Sequence, residues 1–222
     1  MLCIAANAAK VDATTVPDTI GQRLTACTAC HGKQGRATSE GYYPRIAGKP
    51  AGYLYNQLIN FREGRRKNMM MTYLVDHLPD TYLQEIAQYF SEQHPPYPSP
   101  QPFDSSSAAF QRGQQLVEHG DAGKNIPACI ACHGNAMTGV LPSTPGLLGL
   151  PRDYLVGQIG AWKNGSRHAA APDCMAQVVQ RLSAEDIGAV SAWLASQPVP
   201  ADATAVAQLP VKLPLECGSV PR

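Results

Sequence analysis

Apolar residues in the first half of the chain recur three or four positions apart, which is the spacing of amphipathic helices. This pattern predicts three helices, at residues 18–31, 52–62 and 80–92. In the last of them one apolar stripe is formed by Leu83, Ile86, Ala87 and Phe90. Because no segment shows the two-residue alternation of a half-buried strand, the pattern predicts an all-α fold.

The second half of the chain repeats the order of the first. After a predicted helix at about residues 108–118, several residues match counterparts that lie 101 positions earlier: Tyr154 and Leu155 match Tyr53 and Leu54, Gln158 and Ile159 match Gln57 and Leu58, and Gly165 matches Gly64. The apolar positions of the last helix match at an offset of 104. A correspondence sustained over so many positions predicts two tandem domains that arose by internal duplication.

The two halves are joined by a stretch rich in proline and serine, residues 94–107, which cannot form a helix or a central strand. We expect a semi-stiff linker there. The domains predicted on either side are residues 11–93 and 108–197, and a C-terminal tail follows at 198–222.

Composition narrows the class of protein. Of the 222 residues, 44% are hydrophobic and 16% are charged, which is typical of a globular rather than a disordered chain. The formal net charge of +1 gives no strong basic field, so nucleic acid is not expected as a partner. No stretch reaches the roughly 20 apolar residues of a membrane-spanning helix, although peripheral association with a membrane stays open.

The N-terminus, residues 1–10, is typical of the end of a secretory signal peptide, because a short apolar run precedes the small-x-small pattern of Ala-Asn-Ala-Ala. A basic segment is missing before the apolar run, and an ordinary loose terminus is the alternative. The residues around Cys3 do not form a lipoprotein signal. Seven cysteines are unusual for a cytosolic protein, and we expect a periplasmic one.

Two copies of one short string carry the candidate chemistry: Cys27-Thr-Ala-Cys30-His31-Gly32 and Cys129-Ile-Ala-Cys132-His133-Gly134. Two cysteines three positions apart, followed directly by a histidine, are the attachment signature of a c-type haem. On a helical turn both thiols can form thioethers to one porphyrin, and the histidine then lies under the iron as its proximal ligand. The sequence therefore predicts two covalently attached haems c.

Two other interpretations of the cysteine pairs have less support. One zinc site would have to join pairs that lie 102 residues apart, far beyond the spacing of about 15–20 in zinc ribbons. A thioredoxin-like dithiol needs a βαβ pattern, which neither half shows. Haem attachment of this kind takes place outside the bacterial cytoplasm, which independently favours export.

The ligand opposite the histidine decides what a haem does. When the repeats are aligned on Leu78 and Leu182, where the last helices start, Met71 and Met175 fall in register, each seven residues earlier. A thioether ligand favours Fe(II), and a filled sixth position excludes peroxide, so electron transfer is expected and no catalytic residue is predicted. Met70 is the alternative iron ligand in the first half, and core packing is the alternative role of a methionine.

Two cysteines of the second half lie outside the haem strings. Cys174 directly precedes Met175, and in an oxidising compartment it can form a disulfide with Cys217, which would fix the tail against the second haem pocket. Two alternatives stay open, namely that Cys174 ligates iron in place of Met175 and that its thiol is free.

Two further features have ordinary alternatives. Pro44 and Pro145 are placed so that a backbone carbonyl can accept a hydrogen bond from each proximal histidine, or they are simply rigid loop residues. The basic cluster Arg65, Arg66 and Lys67 is either a solvated charged surface or a group that neutralises haem propionates or binds an acidic partner.

The sequence resembles the dihaem cytochrome c4 family from about Asp18 to Gln197. The resemblance rests on both haem strings and on four segments: Pro-Arg-Ile-Ala-Gly at 44–48, Tyr-Leu-Tyr-Asn-Gln-Leu at 53–58, Phe-Arg-Glu-Gly at 61–64, and Asp-Ala-Gly-Lys-Asn-Ile-Pro-Ala-Cys before the second haem. It implies two cytochrome c-like domains about a pseudo-twofold axis, each wrapped around one haem with His/Met ligation. Pro79 departs from the pattern of Ser183, so Asp80 is expected to cap the last helix of the first half.

Three functions are considered. The favoured one is a periplasmic electron carrier between a respiratory or dehydrogenase donor and a terminal oxidase or other acceptor, so the expected partners are redox proteins. The alternative is a dedicated dihaem subunit of a dehydrogenase, similar to that of flavocytochrome c, with the tail as its binding element. A dihaem enzyme, such as a thiosulfate dehydrogenase, would need an open, histidine or cysteine sixth position, which only Cys174 indicates.

Overall fold

The computed structural model describes residues 17–38, 41–210 and 212–220. The predicted remnant of a signal peptide, residues 1–10, and Cys3 within it lie outside these ranges. The helices described in the first half are α1 (Ile20–Arg23), α2 (Thr25–His31), α3 (Ala51–Arg62), α4 (Met69–Val75) and α5 (Asp80–Ser91). Those described in the second half are α6 (Ala108–Glu118), α7 (Ile130–His133), α8 (Arg152–Lys163), α9 (Cys174–Arg181) and α10 (Ala184–Ser196).

The structure confirms an all-α fold apart from one pair of very short strands. β1 (Gly139–Val140) pairs antiparallel with β2 (Thr144–Pro145) in the loop between α7 and α8. The sequence pattern did not indicate these two strands, and they leave the all-α class unchanged. Gly139 has a φ of 101°, which glycine adopts readily, and this lets the chain fold back within a loop too short for an alternating pattern.

Three helices differ from their predictions for local reasons. The predicted helix at 18–31 is divided at Leu24, whose φ of −88° and ψ of 9° interrupt it. The pattern did not predict α4, which begins with an unbroken apolar run and is capped by Asn68, whose Oδ1 accepts the Met71 N–H at 3.0 Å. Asp80 does not cap α5, because Pro79 holds the N-cap position and Asp80 accepts a hydrogen bond from Arg62 at 2.6 Å.

Each half has its own hydrophobic core. In the first half α3 packs against α5, and the core is formed by Leu24, Leu54, Phe61, Val75, Leu83, Ile86, Ala87 and Phe90. In the second half α10 packs against α6 and α8. The crossing of α6 and α10 is close, because a Cβ on Gly113 would overlap the Ala189 carbonyl oxygen. The duplication is visible in the helices themselves, since both ends of α8 lie 101 residues after the ends of α3.

The linker and the tail are extended segments that run over the two halves. Between residues 94 and 104 the chain has no helix or strand, as predicted. The tail pairs with the loop that holds β1, where the Val206 N–H donates to the Gly139 carbonyl at 3.0 Å. Farther along, Cys217 forms a disulfide with Cys174 at the start of α9. None of the helices in the described ranges is long and apolar enough to cross a membrane.

Candidate haem sites

Both Cys-x-x-Cys-His strings lie on short helices that end at the histidine. Cys27, Cys30 and His31 belong to α2, and His133 is the last residue of α7. Each helix stops there because the glycine that follows, Gly32 or Gly134, has a positive φ of 75° or 83°. Both histidines are buried, with 8% and 6% of their surface exposed.

One ring nitrogen of each histidine is fixed by a backbone carbonyl. The His31 Nδ1–H donates to the Pro44 carbonyl at 3.0 Å, and the His133 Nδ1–H donates to the Pro145 carbonyl at 2.7 Å. Burial lowers the pKa of both imidazoles, and the carbonyl contacts only partly oppose this. The chain therefore holds two neutral imidazoles whose Nε2 lone pairs are available for a metal ion, as in ligating histidines generally.

The four cysteines of the strings are partly buried and form no disulfide. Burial raises the pKa of Cys27 and Cys132, and it raises the pKa of Cys129 to about 12. In the described residues no group of three or more His, Cys, Asp or Glu side chains lies together as a metal cluster, so the two pairs are not brought to one zinc site.

A cavity beside the second string has the amphiphilic lining that a haem requires. Its walls include Cys129, Cys132, His133 and Met175 together with apolar side chains such as Leu155 and Leu194. Cationic side chains line it as well, and three of them are Arg45, Lys49 and Arg167. A haem, with an apolar ring and two propionates, fits such a lining.

In the first half the three consecutive methionines are placed differently. Met69 and Met70 are exposed by 90% and 61% of their surface. Met71 is partly buried and packs against the same core as Cys27. Of the run, Met71 is therefore the side chain that shares its surroundings with the first haem string.

A polar cluster joins the two halves through six side chains at positions 101 residues apart: Tyr53, Gln57 and Arg66 in the first half, and Tyr154, Gln158 and Arg167 in the second. Arg66 donates to the side-chain carbonyl oxygens of Gln57 at 3.0 Å and Gln158 at 2.5 Å. Arg167 donates to the same two oxygens at 3.0 and 2.9 Å. The backbones also meet, since the Lys67 N–H donates to the Ser166 carbonyl at 2.9 Å.

Several cationic side chains at and near this interface have no carboxylate partner among the described residues. No ion pair among the described residues includes Arg45, Lys49, Arg66 or Arg167. Burial, together with the charge of Arg66, lowers the pKa of Arg167 to about 10. Buried cations require a counter-charge, and haem propionates at this face would supply one.

The comparisons with known proteins agree with this geometry. No family model matches the chain. A protein of Thiomonas intermedia named thiosulfate dehydrogenase electron acceptor is 39% identical over 174 residues, which are 78% of this chain and 79% of that one. Cytochrome c4 of Stutzerimonas stutzeri is 30% identical, over 78% of this chain and 84% of that one. The crystal structure of reduced cytochrome c4 from Pseudomonas stutzeri superposes with a TM-score of 0.68 at 30% identity, and covers 78% of this chain and 94% of that one.

The chain belongs to the cytochrome c4 family. As a member of the cytochrome c4 family it is a dihaem electron-transfer protein with two covalently attached haems c and two tandem cytochrome c domains.

Within this cytochrome c4 fold, the disulfide decides what Cys174 can do. With its sulfur bonded to Cys217, Cys174 has no thiolate to offer a metal ion, although it lines the same cavity as Met175. The turn that presents Met175 is held by Asp173, which accepts the Ala176 N–H at 3.0 Å and the Trp162 Nε1–H at 3.2 Å.

The sequence patterns did not indicate one residue of the site, the partner of Arg66 across the interface. A signal was present, because Arg167 follows Arg66 at the same offset of 101 that relates Tyr154 to Tyr53. The three residues of the basic cluster have different surroundings in the structure. Arg66 lies at the interface between the halves, Arg65 pairs with Glu63, and Lys67 is exposed.

Proposed function

We propose that this cytochrome c4 is a periplasmic electron carrier with His31 and Met71 as the axial ligands of the first iron and His133 and Met175 as those of the second. In this proposal Cys27 and Cys30 hold the first haem, and Cys129 and Cys132 hold the second. The two domains are residues 11–93 and 108–197, with 94–107 as the linker. One observation carries the proposal: His133, with Nδ1 bonded to Pro145, lines the same cavity as Met175.

Each bound haem supplies a reversible one-electron Fe(III)/Fe(II) couple, and the residues of the chain set the conditions for it. The carbonyls of Pro44 and Pro145 orient the histidines and increase the basicity of the ligating nitrogens. Met71 and Met175 close the distal side, so that water and peroxide are excluded. The apolar walls of the cavity keep solvent away and limit the reorganisation that accompanies electron transfer.

The proposed donor is a thiosulfate dehydrogenase. The support comes from relatives named thiosulfate dehydrogenase electron acceptor in Thiomonas intermedia and Stutzerimonas stutzeri, which are 39% and 34% identical to this chain. This corresponds to the alternative of a dedicated electron-transfer partner of a dehydrogenase, and a terminal oxidase or another periplasmic protein is then the acceptor. We propose no enzymatic activity for the chain itself, because the one thiol considered for an enzyme-type sixth ligand, Cys174, is in a disulfide.

The axial ligands are tested by absorption spectroscopy of the oxidised protein, in which each iron–methionine bond gives a weak long-wavelength charge-transfer band. We expect two equivalents of the band per chain, and one equivalent in each of Met71→Ala and Met175→Ala. Met70→Ala is the matched control and should keep both equivalents. If Met70→Ala loses one equivalent of the band and Met71→Ala keeps both, the ligand of the first iron is Met70 and not Met71.

The donor is tested by stopped-flow mixing of the oxidised protein with a reduced thiosulfate dehydrogenase. Saturable reduction on the timescale of enzyme turnover is expected. Reduction no faster than that of an unrelated periplasmic cytochrome would leave the chain a general carrier without this donor.

A further inference from the structure

Lys49 is a buried lysine that belongs to the first half but reaches the haem cavity of the second. Only 5% of the surface of Lys49 is exposed. The Nζ donates to the Gly146 carbonyl at 2.7 Å. Gly146 directly follows Pro145, whose own carbonyl holds His133. Lys49 lines the same cavity as Cys132 and His133.

The repeat gives this lysine no counterpart. The position 101 residues after Lys49 is Leu150, which is buried in the core of the second half. Arg66 and Arg167, in contrast, lie at matching positions of the repeat, so that each half supplies one arginine to the interface. Lys49 is placed asymmetrically, since it brings a cation to the second haem string without an equivalent cation from Leu150 at the first.

The surroundings of Lys49 do not neutralise it. Burial, together with the charge of Arg45, lowers the pKa of Lys49 to about 7. Arg45 itself donates to the carbonyls of Pro95 at 2.5 Å and Pro96 at 3.1 Å, and stacks on Tyr97. A protonated amine buried beside a second cation is unfavourable unless an anion meets it. Within the cavity that Lys49 lines, a propionate of the second haem is the anion that the proposed cofactor brings.

We propose that Lys49 is a positioning residue for the second haem and that its ammonium binds a propionate of that haem across the domain interface. The second haem then has a higher reduction potential than the first. The proposal rests on the proposed haem sites. Reduction of an iron adds one electron, and a nearby buried cation stabilises the added charge because the interior screens it weakly. The electron therefore enters at either haem but resides on the second.

The consequence is a direction of electron flow within the molecule. An electron on the first haem passes to the second, where it is retained until an acceptor takes it. Under this proposal the acceptor takes its electron from the second half, whichever haem the donor reduces.

The test is a spectroelectrochemical titration of the holoprotein and of Lys49→Met. The wave of the second haem is identified by the variant Met175→His, which shifts it. We expect Lys49→Met to lower the equilibrium constant for reduction of the second haem about tenfold, which lowers its reduction potential by 59 mV for a one-electron couple. The wave of the first haem should move much less.

Three controls make the result specific. Lys67→Met removes the same charge from an exposed side chain near the interface and should shift neither wave appreciably. Lys49→Arg keeps the charge and should restore most of the potential of the second haem. Because the site is buried, the shift in Lys49→Met should persist at high salt.

The proposal is overturned if Lys49→Met leaves the wave of the second haem in place or moves the waves of both haems equally. It is also overturned if the wave of the second haem shifts only at low salt. If Lys49→Met does not fold with haem, Lys49→Arg and Lys49→Gln decide, since the charge-conserving variant must then retain the potential that the neutral one loses. Failure of the proposed axial ligands is distinguished by the charge-transfer band, which would already be missing from the unmodified protein.

Discussion

At the scale of single residues, the second half is stabilised by a carboxylate that the first half lacks. Asp186 is nearly buried, and its oxygens accept hydrogen bonds from Arg112 at 2.7 Å and Lys124 at 3.1 Å. It also completes a capping box with Ser183 at the start of α10. Burial raises the pKa of Asp186, but the hydrogen bonds from Arg112, the Ser183 N–H and Lys124 outweigh it, so the net pKa lies well below the ordinary value.

This shift predicts a sensitivity to acid. Because the pKa of Asp186 is lower in the folded than in the unfolded chain, its stabilisation is complete above about pH 4 and is lost progressively as the pH falls below that. Asp186→Asn should therefore reduce the free energy of unfolding by about 2 kcal/mol at pH 7. Urea titrations at several pH values would show the difference from the unmodified protein narrowing towards pH 3.

Glu185→Gln is the matched control, because Glu185 is the exposed neighbour of Asp186 on the same helix. It should leave the urea midpoint nearly unchanged at both pH values. A difference between Asp186→Asn and the unmodified protein that stays constant down to pH 3 would show that the carboxylate charge is not the cause.

At the scale of elements, the tail acts as a strap over the second haem cavity. Leu213, Leu215 and Val220 of the tail line that cavity, and Asn56 of the first half donates to the Ser219 carbonyl at 3.0 Å. The disulfide holds the strap at the helix that carries Met175, across a sequence separation of 43 residues. The strap therefore covers the cavity next to the helix that carries Met175, the proposed ligand of the second iron.

Removal of the disulfide should loosen the strap. The double variant Cys174→Ser, Cys217→Ser is expected to lose about 3 kcal/mol of unfolding free energy, because the unfolded chain regains the freedom of a long loop. Its second haem should also bind added imidazole faster than that of the unmodified protein, as followed by the charge-transfer band.

Asn56→Ala serves as the comparison, since it removes one hydrogen bond to the tail and keeps the disulfide. It should bind imidazole nearly as slowly as the unmodified protein. Equal rates in the double variant and the unmodified protein would show that the tail does not cover the iron.

Which elements could be predicted from the sequence depends on whether one face of each is polar. The helices α3, α5 and α6 have buried and exposed faces, and their predicted ends agree with the structure within about two residues. The helix α4 has no such contrast at its start, because Met69, Met70 and Met71 are all apolar. The strands β1 and β2 have two residues each, which is too few for any period.

The candidate sites divide in the same way. The attachment strings could be predicted from spacing, because a short covalent motif fixes its own geometry. The disulfide between Cys174 and Cys217 could be offered only as one of three alternatives, because the sequence does not determine how distant cysteines pair. Lys49 could not, since its role depends on a contact with Gly146 that lies 97 residues away. Long-range polar contacts leave no periodic trace in the chain.

At the scale of the whole molecule, the two halves are held together by the polar cluster rather than by a continuous apolar core. The two cores are separate, and the interface between them is formed by the matched tyrosine, glutamine and arginine side chains. Arg167 is buried at its centre and stacks on Trp162. The contacts within the cluster therefore fix how the two halves lie against each other at this interface.

Arg167→Met should uncouple the two halves. We expect the free energy of unfolding to fall by about 2 kcal/mol, because the side-chain oxygens of Gln57 and Gln158 and the hydroxyl of Tyr53 lose a charged donor. Thermal unfolding followed at both haems should then show two separate transitions in place of one. Arg36→Met, at an exposed arginine of the first half, should leave the unfolding curve unchanged. A single transition in Arg167→Met would place the coupling elsewhere.

The disulfide also has a consequence for how the protein is assembled. In the proposed periplasmic location two kinds of cysteine chemistry proceed side by side, because Cys129 and Cys132 have to stay reduced until a vinyl group reaches them, whereas Cys174 and Cys217 have to be oxidised. Exchange between the two pairs requires a thiolate as the attacking group. Once the second half is folded, the buried thiol of Cys129 is protonated at neutral pH, since its pKa is about 12. We therefore expect folding of the second half to slow exchange between the Cys129 thiol and the Cys174–Cys217 disulfide, so that a variant that folds slowly should accumulate chains with wrong disulfides and no haem.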